Sequence, residues 1–314
     1  MAKIAAELDR ALARRAMSGA PGQATARMMA QGDRWTVEDV ICTSGPRDRP
    51  FEERHSYVAI AIVAAGSFQY RSSLGRELMT PGSLVLGSAD QGFECGHEHD
   101  AGDRCISFRY APDYFESLAA AAGVRNAKPR FRRLRLPPLR NFSALVARAC
   151  AGLAGAPDVP WEELSVQVAA EAVQLADGLA GDSRSVPPSA VARVTRAVRM
   201  IERHPDAGLS LGSLAREAGL SPYHFLRTFE RLTGVTPHRY VRRVRLREAA
   251  MRLSMEPARV IDIALDCGFG DVSNFNHAFR AEFGVSPRVF RQRAERPQTT
   301  LHARMKKLGI RRSL

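Results

Sequence analysis

The chain has 314 residues, a length that suits about two domains. Hydrophobic residues supply 45% and charged residues 25%, enough for a core in each domain and too apolar for disorder along the whole length. The formal net charge is +13, and the longest wholly apolar run, Val58 to Ala65, falls far short of the roughly 20 residues of a bilayer-spanning helix, so a membrane protein is excluded.

The N-terminus carries Lys3, Glu7, Asp9, Arg10, Arg14 and Arg15 without an apolar stretch, so no secretory signal is read and a cytoplasmic location is expected. Five cysteines without a CxxC pair do not make a disulfide framework. Phosphate-loop, GxGxxG, GxSxG and HExxH motifs are missing, which weighs against an enzyme.

Residues 1–30, rich in Ala and Arg, read as a helix or frayed N-terminal arm. From Trp35 to Tyr110 the signal becomes that of strands. Val58 to Val63 and Ser83 to Leu86 are short apolar runs, whereas Ser67 to Arg71 and Cys105 to Tyr110 alternate. Turn signals at Gly66, Gly75, Pro81-Gly82 and Gly102 separate them, a spacing that suits a small β-barrel or sandwich. Within this region Cys95, His97, His99 and Cys105 lie in eleven residues. On a strand, positions 95, 97 and 99 would share one face, and thiolate and imidazole are the ligands zinc prefers. A polar hairpin, a metal site and a thiol redox sensor all fit that cluster. Helical spacing then predicts helices over Tyr114–Ala122, Leu139–Leu153 and Trp161–Leu179.

The segment 181–189, rich in Gly, Ser and Pro, reads as a linker. Charge changes across it. Residues 189–314 hold 24 Lys and Arg against 11 Asp and Glu, while residues 1–188 hold 22 of each. The whole excess therefore sits in the second half, which points to a polyanionic partner for that half.

That half also repeats itself. Leu214 to Phe229, closed by Gly234 to Pro237, matches Ile263 to Phe279, closed by Gly284 to Pro287, with Phe225 and Phe229 reappearing as Phe275 and Phe279. Each copy reads as a helix, a turn opened by Gly219 or Gly268, and a second helix. This is the helix-turn-helix pattern, whose second helix enters the major groove. Ser221-Pro222 is a cap and first-turn pair; Asp271 is the cap of the second copy, with Ser273 as rival. Arg239 to Ser254 reads as a long helix between the copies, with Arg242, Arg243, Arg245 and Arg247 as phosphate contacts or solvated charges.

In each second helix the apolar stripe selects the outward face. Phe225, Phe229 and Leu232 leave Tyr223 and Arg227 opposite, with Arg231 nearby and His224 and Leu226 on the flanks. Arg227 is the leading base reader, because its planar fork can bond guanine O6 and N7 together. Phe275, Phe279 and Phe283 likewise leave Ser273, Asn274 and His277 outward, with Asn276 and Arg280 at the edges.

Leu214-Ala215, Gly219, Ser221, Phe225, Phe229, Gly234, Pro237, Ile263-Ala264, Gly268-Phe269, Phe275, Phe279, Phe283-Gly284, Ser286-Pro287 and Arg291 together resemble the DNA-binding domain of the AraC/XylS family of bacterial transcription regulators. Leu78 to Leu86 resembles the family's barrel sensor domains more loosely. The resemblance implies an α+β fold, with an N-terminal cupin-like β-barrel sensor domain with flanking helices and a C-terminal all-α domain of two helix-turn-helix units. The division expected is arm 1–30, effector-binding and dimerisation domain 31–180, linker 181–189, DNA-binding domain 190–296 and basic tail 297–314. It implies base reading at Tyr223, Leu226 and Arg227. Family members often carry Arg where His277 stands, so the second contact is expected to be weaker or purely positioning. Implied partners are double-stranded promoter DNA, RNA polymerase, a small-molecule effector and a second copy of the chain. The expected function is transcription regulation, as an activator, not catalysis. The similar cupin barrels hold metal with a His-x-His pair that His97 and His99 fit, but their further Glu and His are not evident, so no cofactor is expected. The alternative is a cupin-type metal-dependent enzyme, or a metal or redox sensor, with an appended DNA-binding module.

Overall fold

The computed structural model describes residues 2–124, 130–157, 159–178 and 187–295. Residues 181–186 of the expected linker (181–189) and the whole expected tail (297–314) lie outside these residues. Helix α1 (Ala2–Ser18) precedes strands β1 (Ala24–Gln31), β2 (Trp35–Cys42), β3 (Phe51–Arg54), β4 (Val58–Gly66), β5 (Phe68–Ser72), β6 (Gly75–Met79), β7 (Leu84–Gly87), β8 (Gly92–Gly96) and β9 (Asp103–Tyr110). Then come α2 (Pro112–Ala121), β10 (Arg135–Leu136), α3 (Arg140–Leu153) and α4 (Trp161–Gly178). The second half is helical: α5 (Pro188–Arg203), α6 (Leu211–Glu217), α7 (Pro222–Thr233), α8 (Pro237–Met255), α9 (Val260–Asp266), α10 (Val272–Phe283) and α11 (Pro287–Glu295).

The unbroken apolar run is explained by β4, which is covered on both faces. Ile60, Ile62 and Ala64 pack toward the helices, while Val63 and Ala61 pack toward the second sheet. A strand that is buried twice has no face left for polar residues. The strands form a six-stranded sheet ordered β1-β2-β9-β4-β7-β10 and a four-stranded sheet ordered β3-β8-β5-β6. All of these pairings are antiparallel. The barrel expectation is thus met in its coarser form, a sheet-rich α+β unit whose two sheets face each other without closing.

The first 30 residues are not a detached arm. Ile4 and Leu8 are buried in the same core as β4, and β1 pairs with β2 along its length. Strand β1 is mostly exposed, so its sequence carries no alternation that could have announced it. Arg104 ties this corner together. It makes two parallel bonds of 2.9 Å to Asp39 and donates to the Ile4 carbonyl. Burial alone would raise the Asp39 pKa, but hydrogen bonds from Arg104 and Arg27 outweigh it and hold the carboxyl below its usual range.

Helix α8 belongs to three cores. Tyr240, Val241 and Val244 pack with α5, α6 and α7; Leu246, Ala249, Ala250 and Leu253 pack with α9 and α10; Met251 reaches the core under β4. Pro237 and Pro287 each occupy the first turn of a new helix, where a missing N–H costs nothing, so each helix restarts one residue after its capping side chain.

Candidate nucleic-acid interface

Both repeats fold as helix, turn and helix. Gly219 and Gly268 take φ of +62° and +83°, the left-handed region that favours glycine. Each turn is clamped by an arginine from a neighbouring helix. Arg193 of α5 donates to the carbonyls of Ala218 (2.9 Å) and Gly219 (2.6 Å). Arg245 of α8 donates to those of Gly268 (2.7 Å) and Ala207 (2.9 Å). Nothing in the local sequence singles out these two arginines, because their partners are backbone carbonyls of distant segments.

The second helix of each unit starts on a side-chain cap. Ser221 accepts from the His224 N–H ahead of Pro222, and Asp271, not Ser273, accepts from the Asn274 N–H at 2.7 Å. Phe225, Phe229, Phe275 and Phe279 are wholly buried. Helices α7 and α10 end at Gly234 and Gly284, again with positive φ.

The opposite faces are open. Tyr223, His224, Arg227 and Arg231 are exposed on α7 and Leu226 is half-buried; Tyr223 is 66% exposed, unusual for a large aromatic side chain. His224 Nδ1 lies 2.9 Å from the capping Ser221 hydroxyl, so that nitrogen is committed to the cap. Ser273, Asn274, Asn276, His277 and Arg280 are exposed on α10. Four of them, with Arg259 and Arg288, line an open concavity of about 630 Å³. The sequence had not singled out Arg259 or Arg288. Phe283, expected in the buried stripe, is half-buried and packs at 4.4 Å on Phe279, while Glu282 is buried.

The connecting helix departs from expectation. Arg247 is buried and bonds both oxygens of Glu202 at 3.0 and 3.1 Å. Arg243 bonds Glu282 at 3.1 Å and also the Pro138 carbonyl. With Arg245 on its turn, only Arg242 of the four is exposed to meet a phosphate. Both units also touch the first half. Tyr240 donates to the Pro81 carbonyl at 3.2 Å, Ser143 of α3 bonds Glu282, and Arg199 pairs with Asp100.

Between the two sheets lies a cavity of about 340 Å³. Its wall includes His55, whose Nε2 is 2.6 Å from the Tyr70 hydroxyl and whose ring stacks on Phe93 at 4.1 Å. Burial first, and Arg109 second, pull the His55 pKa down to about 4, so the ring is neutral near pH 7. Cys95 and Cys105 also line this cavity, and both are buried. Strand β8 stops at Gly96, so His97 and His99 sit in a bend, not on a strand. His97 is buried; His99 is part-exposed, with Nε2 3.9 Å from Glu98. Burial pushes the Cys95 and Cys105 thiols well above their ordinary pKa, which makes them poor nucleophiles.

The second half therefore defines a protein with two helix-turn-helix units, each presenting a polar second helix. The profile of the helix-turn-helix domain family matches residues 214–293. The transcriptional activator RhaS of Klebsiella pneumoniae is 39% identical over 101 residues, 32% of this chain and 36% of that protein. The probable transcription factor PqrA of Proteus vulgaris is 35% identical over 94 residues, 30% of this chain and 77% of that protein. A crystal structure of an AraC-type DNA-binding domain regulator from Chromobacterium violaceum is 27% identical, covering 35% of this chain and 99% of its own, with a TM-score of 0.33. The chain belongs to the AraC/XylS family of transcriptional regulators. Its match spans about a third of the length of RhaS. Among the described residues, no helix is long and apolar enough to cross a membrane.

Proposed function

We propose that the protein is a sequence-specific DNA-binding transcription regulator. Helices α7 and α10 enter the major groove, and the two-sheet half, cupin-like in its expected role, takes a small-molecule effector. The observation that carries this reading is the pair of capped second helices, each with its phenylalanines buried and its polar face open, in the half that holds all the excess positive charge. Arg227, Tyr223 and Leu226 read bases in the first unit, with His224 and Arg231 beside them. Ser273, Asn274, Asn276, His277 and Arg280 contact the second site, where His277 offers less than an arginine fork. The domain division expected from the sequence stands in this reading, with residues 1–30 joined to the sheet half.

The effector reading rests on the cavity between the sheets, which is of ligand size and combines aromatic walls with a few polar groups. Activation through RNA polymerase and pairing with a second copy follow from family likeness. The helices between 139 and 179 are the candidate pairing surface, with one face of α3 already packed on α8. The enzyme alternative depended on His97 and His99 projecting from one strand, and no such strand supports it.

The test is selection of bound genomic fragments in bulk, followed by titration of the selected site. The wild-type protein is expected to bind it about 10³-fold or more tighter than random DNA. Equal binding to both would overturn the reading.

A further inference from the structure

Three titratable side chains from three different segments meet beside the inter-sheet cavity. Cys42 ends β2, Asp103 begins β9 directly opposite it in the ladder, and His97 arrives from the bend after β8. One ligand atom from each lies within 4.8 Å of the other two, and all three residues are buried. His97 Nε2 is 2.7 Å from one oxygen of Asp103, and the Cys105 thiol donates to the other at 3.2 Å. The His97 side chain is fully buried and turns Nε2 toward Asp103, while Nδ1, on the other side of the ring, has no hydrogen-bond partner among the described residues.

We propose that Cys42, His97 and Asp103 bind a single divalent cation of the zinc class. One thiolate, one imidazole and one carboxylate form a ligand set that suits zinc and leaves a fourth coordination position. Cys42, Asp103 and Cys105 also line the cavity, so the cation sits at its wall, with the Cys105 thiol as the neighbouring soft donor. The site differs from the one suggested by the local Cys95 to Cys105 cluster. His99 is outside it, and Cys42, more than fifty residues upstream, is inside. The inference concerns the sheet half alone and stands whichever way DNA binding is decided.

The experiment uses the full chain, stripped with a chelator and titrated with Co²⁺ and then Zn²⁺. One equivalent of Co²⁺ should bring a near-ultraviolet thiolate-to-cobalt charge-transfer band and visible bands of low-symmetry cobalt, both abolished by one equivalent of Zn²⁺. The remaining cysteines of the helical cores, Cys150 and Cys267, are buried apart from this cluster and give no such band. Cys42→Ser should remove the charge-transfer intensity, and His97→Ala should weaken Zn²⁺ binding at least about 100-fold, beyond the usual cost of losing an outer partner. His99→Ala should leave both unchanged. Zn²⁺ should also raise the Tm of the unmodified protein, and excess chelator should reverse the rise. This second readout requires no substitution to fold. A titration without a charge-transfer band, a Tm unmoved by saturating Zn²⁺, or His99→Ala failing as badly as His97→Ala would each overturn the proposal.

Discussion

The two halves of the molecule keep their chemistry in opposite places. The sheet half is charge-balanced and turns its reactive groups inward, with His55, Asp39, Arg104 and Asp103 all partly or wholly buried. The helical half carries the excess charge and turns its polar groups outward from α7 and α10. A small ligand gains most from a dry cavity, where each polar contact is strengthened by low dielectric. A polyanion gains most from exposed donors that reach its grooves and displace counterions. Substitutions in the first half should therefore register in stability, and those on the outward faces of the second in affinity.

The largest effect is expected at Arg104. Arg104→Ala leaves the buried Asp39 carboxylate with only the exposed Arg27 as partner, and breaking a buried pair costs up to about 3–5 kcal/mol in urea unfolding. A loss below about 1 kcal/mol would mean that the inward chemistry of the sheet half does not hold it together. His55 comes next. Its folded pKa, about 4, lies below its unfolded value of about 6.5, so its contribution is complete above pH 6.5 and fades as pH falls toward 4. The swing is about 3 kcal/mol, and His55→Gln should flatten it in unfolding curves measured between pH 7 and pH 4.

Arg227→Ala should weaken binding to the selected DNA site about tenfold to a hundredfold, the 1–3 kcal/mol of a bidentate guanine contact, while Tm stays put. Equal loss on cognate and random DNA would make it a phosphate contact. Asp271→Ala removes a helix cap and should cost about 1 kcal/mol in unfolding, showing that the helical half has stability terms of its own. Arg242→Ala should do least, weakening all DNA alike by a small factor and making the salt dependence slightly shallower.

The sequence made visible whatever repeats or punctuates. The two glycine turns, the Ser221 cap and the Phe225–Phe229 stripe could be read because each is a local pattern with a local cause. Even β4 was plain, since burial on both faces leaves an unbroken apolar run. Strand β1 escaped notice because its exposed residues carry no alternation and only its backbone pairs. Arg243, Arg245 and Arg247 looked like phosphate contacts because their partners, Glu282, the Gly268 carbonyl and Glu202, come from elsewhere in the fold. Cys42 escaped for the same reason. A cluster assembled by strand pairing is not a cluster in the sequence.

Helix α8 is one unbroken rod whose first half is set in one helix-turn-helix unit and whose second half is set in the other. The distance between α7 and α10 is therefore a fixed length, like the gap between two teeth of a key. A target with one extra base pair between its two sub-sites is longer by about 3.4 Å and turned by about a tenth of a helical repeat. The rod cannot stretch to follow, so the DNA must bend or untwist, or one of the two contacts must be given up. If α7 and α10 read the two sub-sites as proposed, their spacing is a specificity determinant in its own right, set by the length of α8.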